Sequence, residues 1–265
     1  MLLSFFLLAC AGSTDKSPGD EADADSDADS DADSDADTDT DTDADTPLCP
    51  DPVEPACVDA MILDLSLHDD KISEGEVSNV QDGDDWVTTV DATAGGYDRA
   101  SQNAWVYLRF TSDGAERIDI DDETALEDMR WHLSLKRFIL RLNSGDGGPS
   151  CVGAAAQPRR DYTEIDSVPD DVVYAQEDFY DDACVAQEDD SMLPGSYAVV
   201  LGSWWAYTNC VSTTNTPFLI QLGDGHVLKF LVESYYAGNG QDECNSSGST
   251  SAESAIYTLR WRFLE

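Results

Sequence analysis

Phe218-Leu-Ile-Gln-Leu-Gly-Asp-Gly-His-Val-Leu-Lys-Phe-Leu-Val-Glu-Ser-Tyr-Tyr236 is the stretch from which the fold class is read. Two apolar runs, Phe218–Leu222 and Val227–Tyr236, flank Gly223-Asp224-Gly225, whose residues accept the backbone angles of a tight reversal, so the segment predicts a β-hairpin. Just downstream, Ile256–Phe263 alternates cleanly, with Tyr257, Leu259, Trp261 and Phe263 on one face and Thr258, Arg260 and Arg262 on the other, as a half-buried strand requires. Upstream, Met61–Leu67, Trp86–Val90, Trp105–Thr111, Trp131–Leu142 and Tyr197–Tyr207 repeat this strand character between Gly, Asp and Asn. In the longest run, Trp131, Leu133 and Leu135 share one face while Phe138, Leu140 and Leu142 share the other. That reversal near Arg137 predicts a bulge, or a strand passing between packed layers. Helical patterning is confined to a turn or two over Asp121–Met129. The expectation is one all-β domain, mainly antiparallel, over residues 60–265.

The chain carries 55 Asp and Glu against 14 Lys and Arg, a formal net charge of −41. Thirteen Asp and one Glu fall between Asp20 and Thr46 with no cation among them, and removing those 14 charges leaves −27 for the rest. So acidic a surface excludes nucleic acid as a partner, because phosphate binding needs a cationic face, and it excludes adsorption to anionic membranes by charge. Within Asp20–Thr46, Asp alternates with Ala, Ser or Thr. With no large apolar side chain to bury and with neighbouring carboxylates repelling, this stretch predicts a disordered tail. At about 3.3 Å per residue its roughly 26 residues reach some 85 Å when extended, the reach of a stalk. Calcium binding is the alternative reading of D-x-D-x-D, but the turn glycine and closing Glu of an EF-hand loop are missing, so no specific metal site is assigned. Pro47, Pro50, Pro52 and Pro55 end the tail as a stiff linker.

Residues 1–9 form an apolar run far shorter than the about 20 residues that span a bilayer, and read as a signal peptide. It ends in Leu7-Leu8-Ala9-Cys10, which resembles the bacterial lipobox, although no Lys or Arg precedes the run. Cys10 is the expected lipid anchor, residues 10–59 the tether and linker, and the bacterial outer membrane the expected location. Ala11 after the cysteine, in place of Asp, fits that destination. Lipidation of Cys10 leaves Cys49, Cys57, Cys151, Cys184, Cys210 and Cys244, an even number that suits disulfides in an exported protein. Six cysteines permit 15 pairings. Sequential pairing is the expectation, because each such pair brackets a turn-rich stretch. A zinc site is disfavoured by the absence of C-x-x-C spacing and of grouped histidines.

Trp105-Val-Tyr-Leu-Arg-Phe110, followed by Trp131-His-Leu-Ser-Leu-Lys-Arg-Phe-Ile-Leu-Arg-Leu-Asn-Ser-Gly145, resembles the signature of the HmuY-like lipoproteins. Asp161-Tyr-Thr-Glu-Ile-Asp-Ser-Val-Pro169 is similar to that family's acidic stretch, Phe218–Tyr236 to its penultimate hairpin and Tyr257–Phe263 to its closing strand. Together they run in order over about Trp86–Glu265. The resemblance implies a two-layer, mostly antiparallel β fold on a surface-exposed lipoprotein. It also implies binding of haem, or a related tetrapyrrole, for delivery to an outer-membrane receptor.

Haem iron takes His, Met, Cys or Tyr as axial ligand. The candidates are His132, His226 and Met192, with His68 and Tyr180 as further possibilities; each also has an ordinary use as a packed or solvated side chain. None aligns with a ligand position of the family. The acidic balance suits haem propionates poorly, and Arg159 and Arg160 are the only cationic pair in the loop region. No Gly-x-Ser-x-Gly elbow, His-Glu-x-x-His or phosphate-cradling loop is present, so no enzyme is predicted. The competing class is a non-haem surface module for glycan, calcium or a protein partner, with Trp204, Trp205, Tyr207, Tyr235 and Tyr236 as possible stacking platforms.

Overall fold

The computed structural model describes residues 48–191 and 193–265. Its strands are β1 (Val77–Asp82), β2 (Asp85–Asp91), β3 (Val106–Thr111), β4 (Gly114–Arg117), β5 (Leu133–Lys136), β6 (Ile139–Leu142), β7 (Gly153–Ala156), β8 (Trp205–Tyr207), β9 (Val211–Thr213), β10 (Phe218–Gln221), β11 (Val227–Tyr236) and β12 (Ser254–Leu264), with helices α1 (Val58–Asp64) and α2 (Gly240–Ser247). A six-stranded sheet runs β1-β2-β12-β11-β10-β7, a four-stranded sheet β4-β3-β5-β6, and β8 pairs with β9. All of these pairings are antiparallel.

Alternation explains the layers. Phe230, Tyr257, Leu259 and Trp261 of the large sheet share one core with Leu108, Phe110, Leu133, Leu135, Leu140 and Leu142 of the small sheet. Phe110 sits at their centre, its ring 4.9 Å from Trp261 and 6.2 Å from Phe230. The opposite face of the small sheet is also covered: Tyr107 and the adjoining Trp105 and Trp131 pack with Met61 of α1 and with Leu65 and Phe179. Between two apolar layers, even the polar positions of β5 and β6, Ser134, Lys136 and Arg141, are buried.

The β10–β11 hairpin forms as expected, reversing at Gly223-Asp224-Gly225 with Gly225 at φ +89°, a conformation that favours glycine. Other expectations are corrected. Trp131–Leu142 is not one strand but the β5–β6 hairpin, with Leu133 opposite Leu142 and Leu135 opposite Leu140. The turn at Arg137-Phe138, with Arg137 at φ +54°, reverses the chain, so leucines that looked opposed in a straight strand lie on one face. Met61–Leu67 begins inside α1: Cys57, Met61 and Leu65 are buried at intervals of four residues, the repeat of a helix face. Tyr197–Tyr207 is mostly irregular, with only Trp205–Tyr207 in a strand, whereas Asp121–Met129 does hold a short helical piece, the 3-10 turn Thr124–Leu126.

Disulfides join Cys49 to Cys151, Cys57 to Cys184 and Cys210 to Cys244. Sequential pairing therefore holds only for the last. The reason lies in the linker, which does not fold on itself but is docked on the domain. The Leu48 N–H donates to the Gly223 carbonyl at 2.8 Å and the Val53 N–H to that of Pro149 at 2.8 Å.

Candidate functional site

The aromatic strands that carry the family resemblance converge on a closed polar network. Arg141 is fully buried between two indoles, its guanidinium carbon 4.9 Å from the Trp105 ring and 5.3 Å from that of Trp131. It donates to Ser134 Oγ at 3.1 Å and to the Tyr107 hydroxyl at 3.2 Å. The Tyr107 hydroxyl in turn donates to Asp122 Oδ1 at 3.1 Å, and Asp122 also accepts the Trp105 and His68 N–H groups. Asn143 donates to the Trp131 carbonyl at 2.8 Å and accepts the Ser150 N–H at 3.0 Å. Glu177 accepts the Leu142 and Val200 N–H groups, each at 2.9 Å, while complete burial pushes its carboxyl up to about 7. These groups are occupied by one another, and such satisfied networks specify a core. None presents a free atom to a ligand.

The unoccupied chemistry lies at the β10–β11 turn. A cleft of about 230 Å³ is lined by Cys49, Ser150, Gly223 and Asp224 together with Arg109, Met129, Arg130 and His132. His132 stacks on Phe110, and its Nδ1 accepts the Phe110 N–H at 3.1 Å. Burial pushes the imidazolium down to about 4, against the pull of Asp224 and with Arg109 adding to the fall. The ring is therefore neutral at pH 7, and because Nδ1 accepts, the proton is assigned to Nε2. In this arrangement His132 offers the cleft a donor, not a lone pair.

His226 has the opposite tautomer. Its Nδ1 lies 3.1 Å from Asp224 Oδ1, which assigns the proton to Nδ1 and leaves the Nε2 lone pair free. Its side chain is 70% exposed, that of Asp224 59%. A carboxylate fixing one ring nitrogen while the other is open is how metal-binding histidines are oriented. His226 stands on the same turn as Asp224, beside the cleft wall. Arg109, exposed on β3, makes no ion pair among the described residues, whereas Arg130 is held by Asp128.

The other sequence candidates are placed differently. Cys10 and Met192 lie outside the described residues. His68 Nε2 is 3.1 Å from the Ser101 carbonyl, and the Tyr180 hydroxyl donates to Asp64 Oδ2 at 3.1 Å. Arg159 and Arg160 are exposed in the turn after β7. Trp204, Trp205, Tyr235 and Tyr236 are buried core aromatics; only Tyr207, 46% exposed, is open for stacking. Sequence reasoning did not single out Asp224, Arg109 or Met129. The available signal was Asp224-Gly-His226, a carboxylate two residues before a histidine within a tight turn. Among the described residues no group of His, Cys, Asp and Glu could hold a metal ion by itself. A porphyrin, which supplies four nitrogens of its own, needs only an axial partner. The cleft offers a thioether (Met129) and a guanidinium (Arg109), and the adjoining turn an open imidazole (His226), side-chain types that suit such a group and its propionates.

Three solved structures of low sequence identity align with the chain. One is a provisionally assigned HmuY-like heme-binding protein of Bacteroides vulgatus, with 14% identity and TM-score 0.44, covering 70% of this chain and 97% of its own. A provisionally assigned lipoprotein of Bacteroides fragilis has 13% identity and TM-score 0.42, with 69% and 93% covered. The apo HmuY analog of Tannerella forsythia has 15% identity and TM-score 0.40, with 74% and 100% covered. No curated protein matches. The family model described as HmuY protein matches residues 101–247, more than half of the chain, from just before Trp105, past the turn that bears His226, to the end of α2, and the chain therefore belongs to the HmuY family.

Proposed function

We propose that this protein captures haem or a related tetrapyrrole at the β10–β11 turn, without catalysis, as a lipoprotein anchored through Cys10 to the outer membrane and exposed at the cell surface. The observation that carries the reading is His226, whose Nδ1 is engaged by Asp224 while Nε2 is open. A tetrapyrrole bound there would bring a metal that accepts imidazole or thioether. The residues that would hold it are His226 through Nε2 and Met129 through its sulfur, with Arg109 against a propionate and His132 donating a hydrogen bond from Nε2. At about 230 Å³ the cleft is smaller than the roughly 300–1,000 Å³ of enclosing ligand pockets. A flat ring would therefore be only partly enclosed there, which suits onward transfer to an outer-membrane receptor.

A hemin titration of the oxidised protein, followed by absorbance, tests this. A saturable Soret band lost in His226→Ala supports it, and spectra that never saturate overturn it. A second reading, a non-haem module for a basic protein partner or for calcium, draws on a groove of about 740 Å³ beside α1. That groove has Val58, Ile62 and Leu126 on its floor and Glu54, Asp69 and Glu127 at its rim. Thermal stabilisation by calcium or by a basic peptide, without a Soret band, favours that reading.

A further inference from the structure

We propose that the Cys49–Cys151 disulfide positions the turn that carries His226 and thereby sets the ligand affinity of the cleft; this rests on the haem reading of that site. The disulfide is itself part of the cleft, since Cys49 forms its wall together with Ser150, Gly223 and Asp224. From Cys49 the linker runs across the turn, and the Leu48 N–H donates to the Gly223 carbonyl at 2.8 Å. The approach is close enough to constrain the sequence. A Cβ on Gly223 would lie 3.1 Å from Cys49 Sγ and 3.2 Å from Ser150 Oγ, so the crossing is built around the missing side chain. On the far side, the Ser150 N–H bonds Asn143, which bonds the Trp131 carbonyl next to His132. The disulfide thus ties the turn that holds the Asp224–His226 pair to the strand region that holds His132.

It is also the most open of the three bridges. Cys49 and Cys151 are both half-buried, whereas Cys57 in one of the others and both Cys210 and Cys244 in the last are buried. Thiol exchange depends on access to sulfur, so a small dithiol reaches Cys49–Cys151 first. Two electrons and two protons pass from the dithiol to the bridge, giving free Cys49 and Cys151 thiols and an oxidised reductant. Cys57–Cys184 still holds the far end of the linker, so reduction frees the crossing at Gly223 without detaching the segment. The inferred consequence is a cleft that grips its ligand under oxidising conditions and loosens under reducing ones.

The test compares the full chain with its Cys49→Ser/Cys151→Ser and Cys210→Ser/Cys244→Ser variants. Two quantities are read: hemin affinity, and amide hydrogen exchange over Leu222–His226 without ligand. The expected result is about a tenfold loss of affinity, the low end of what outer-shell changes do to a metal site. Faster exchange at the turn should accompany it in the first variant only. If that variant misfolds, brief reduction of the wild type with a dithiol, with the opened bridge identified by mass spectrometry, replaces it. Unchanged turn exchange and affinity once Cys49–Cys151 is open overturn the proposal, as does opening of another bridge first. If the wild type binds no hemin, the haem reading fails on its own, and turn exchange alone then decides whether the bridge positions the turn.

Discussion

Two regions meet at the cleft and differ in what their side chains are free to do. In the strands from Trp105 to Asn143, the fully buried polar groups are spent on neighbours: Arg141 on Tyr107, Ser134 and two indoles, Tyr107 on Asp122, Asn143 on Trp131 and Ser150. At the Gly223–His226 turn, Asp224 engages His226 and both point into solvent. Both regions lie within the family match, but the first closes its buried polar groups on one another while the second holds atoms with unspent bonding capacity, so core specification and ligand chemistry sit on different residues.

The sharpest way to break the contrast is to truncate the network. Trp131→Ala should lower unfolding free energy by about 3–5 kcal/mol, the range for buried tryptophans, because it removes the Arg141 contact, the Tyr107 edge contact and the indole bond to the Ala125 carbonyl. Urea unfolding measures this. The same denaturant series across pH should expose two opposed titrations, each worth about 3 kcal/mol at most from its shift. Glu177 is raised from 4.5 to about 7. Its contribution is complete below pH 4.5 and is lost as pH rises through 7, and Glu177→Gln should flatten that fall even though one amide oxygen cannot serve both N–H groups. His132 is lowered from 6.5 to about 4. Its contribution is present above pH 6.5 and lost as pH falls through 4, so His132→Asn should flatten the acid limb.

At the turn the expected effects move from stability to binding. His226→Ala should weaken hemin affinity about 100-fold, near 2.7 kcal/mol, while shifting the unfolding midpoint almost not at all, as for other exposed positions. Asp224→Asn should cost about tenfold in affinity, the low end for a residue that orients a metal-binding histidine. If Trp131→Ala abolished binding in protein that is still folded, or if His226→Ala unfolded the domain, the division of labour between the two regions would be wrong.

Much of the large sheet was legible before the structure. The β10–β11 hairpin followed from Gly-Asp-Gly, and β12 from strict alternation over Tyr257–Phe263, because both signals are local. The β5–β6 turn was hidden because its positive-φ residue is Arg137, not glycine, and burial on both faces removed the polar half of the pattern. The helix at Val58–Asp64 was masked because it is only seven residues long and its four-residue spacing of Cys57, Met61 and Leu65 merges into an apolar run of strand-like composition. At the site, His132 and His226 were legible as histidines. Their opposite tautomers were not, because these depend on the Phe110 backbone in one case and on a turn carboxylate in the other. Arg109 and Met129 reach the cleft from other parts of the chain, and nothing in their local sequence marks that convergence.

The order of the cysteines along the chain also bears on how the protein matures. The bridges Cys49–Cys151 and Cys57–Cys184 interleave. In a chain that enters an oxidising compartment from its N-terminus, Cys49 and Cys57 are the first two thiols available to each other. Their premature union closes a short loop and leaves Cys151 and Cys184 without partners. The first native bridge cannot form until residue 151 has arrived, and the second not until residue 184. In a chain exported that way, maturation would be a race between early oxidation and the arrival of residue 184, and a disulfide isomerase that reopens a Cys49–Cys57 bond would raise the yield of native protein.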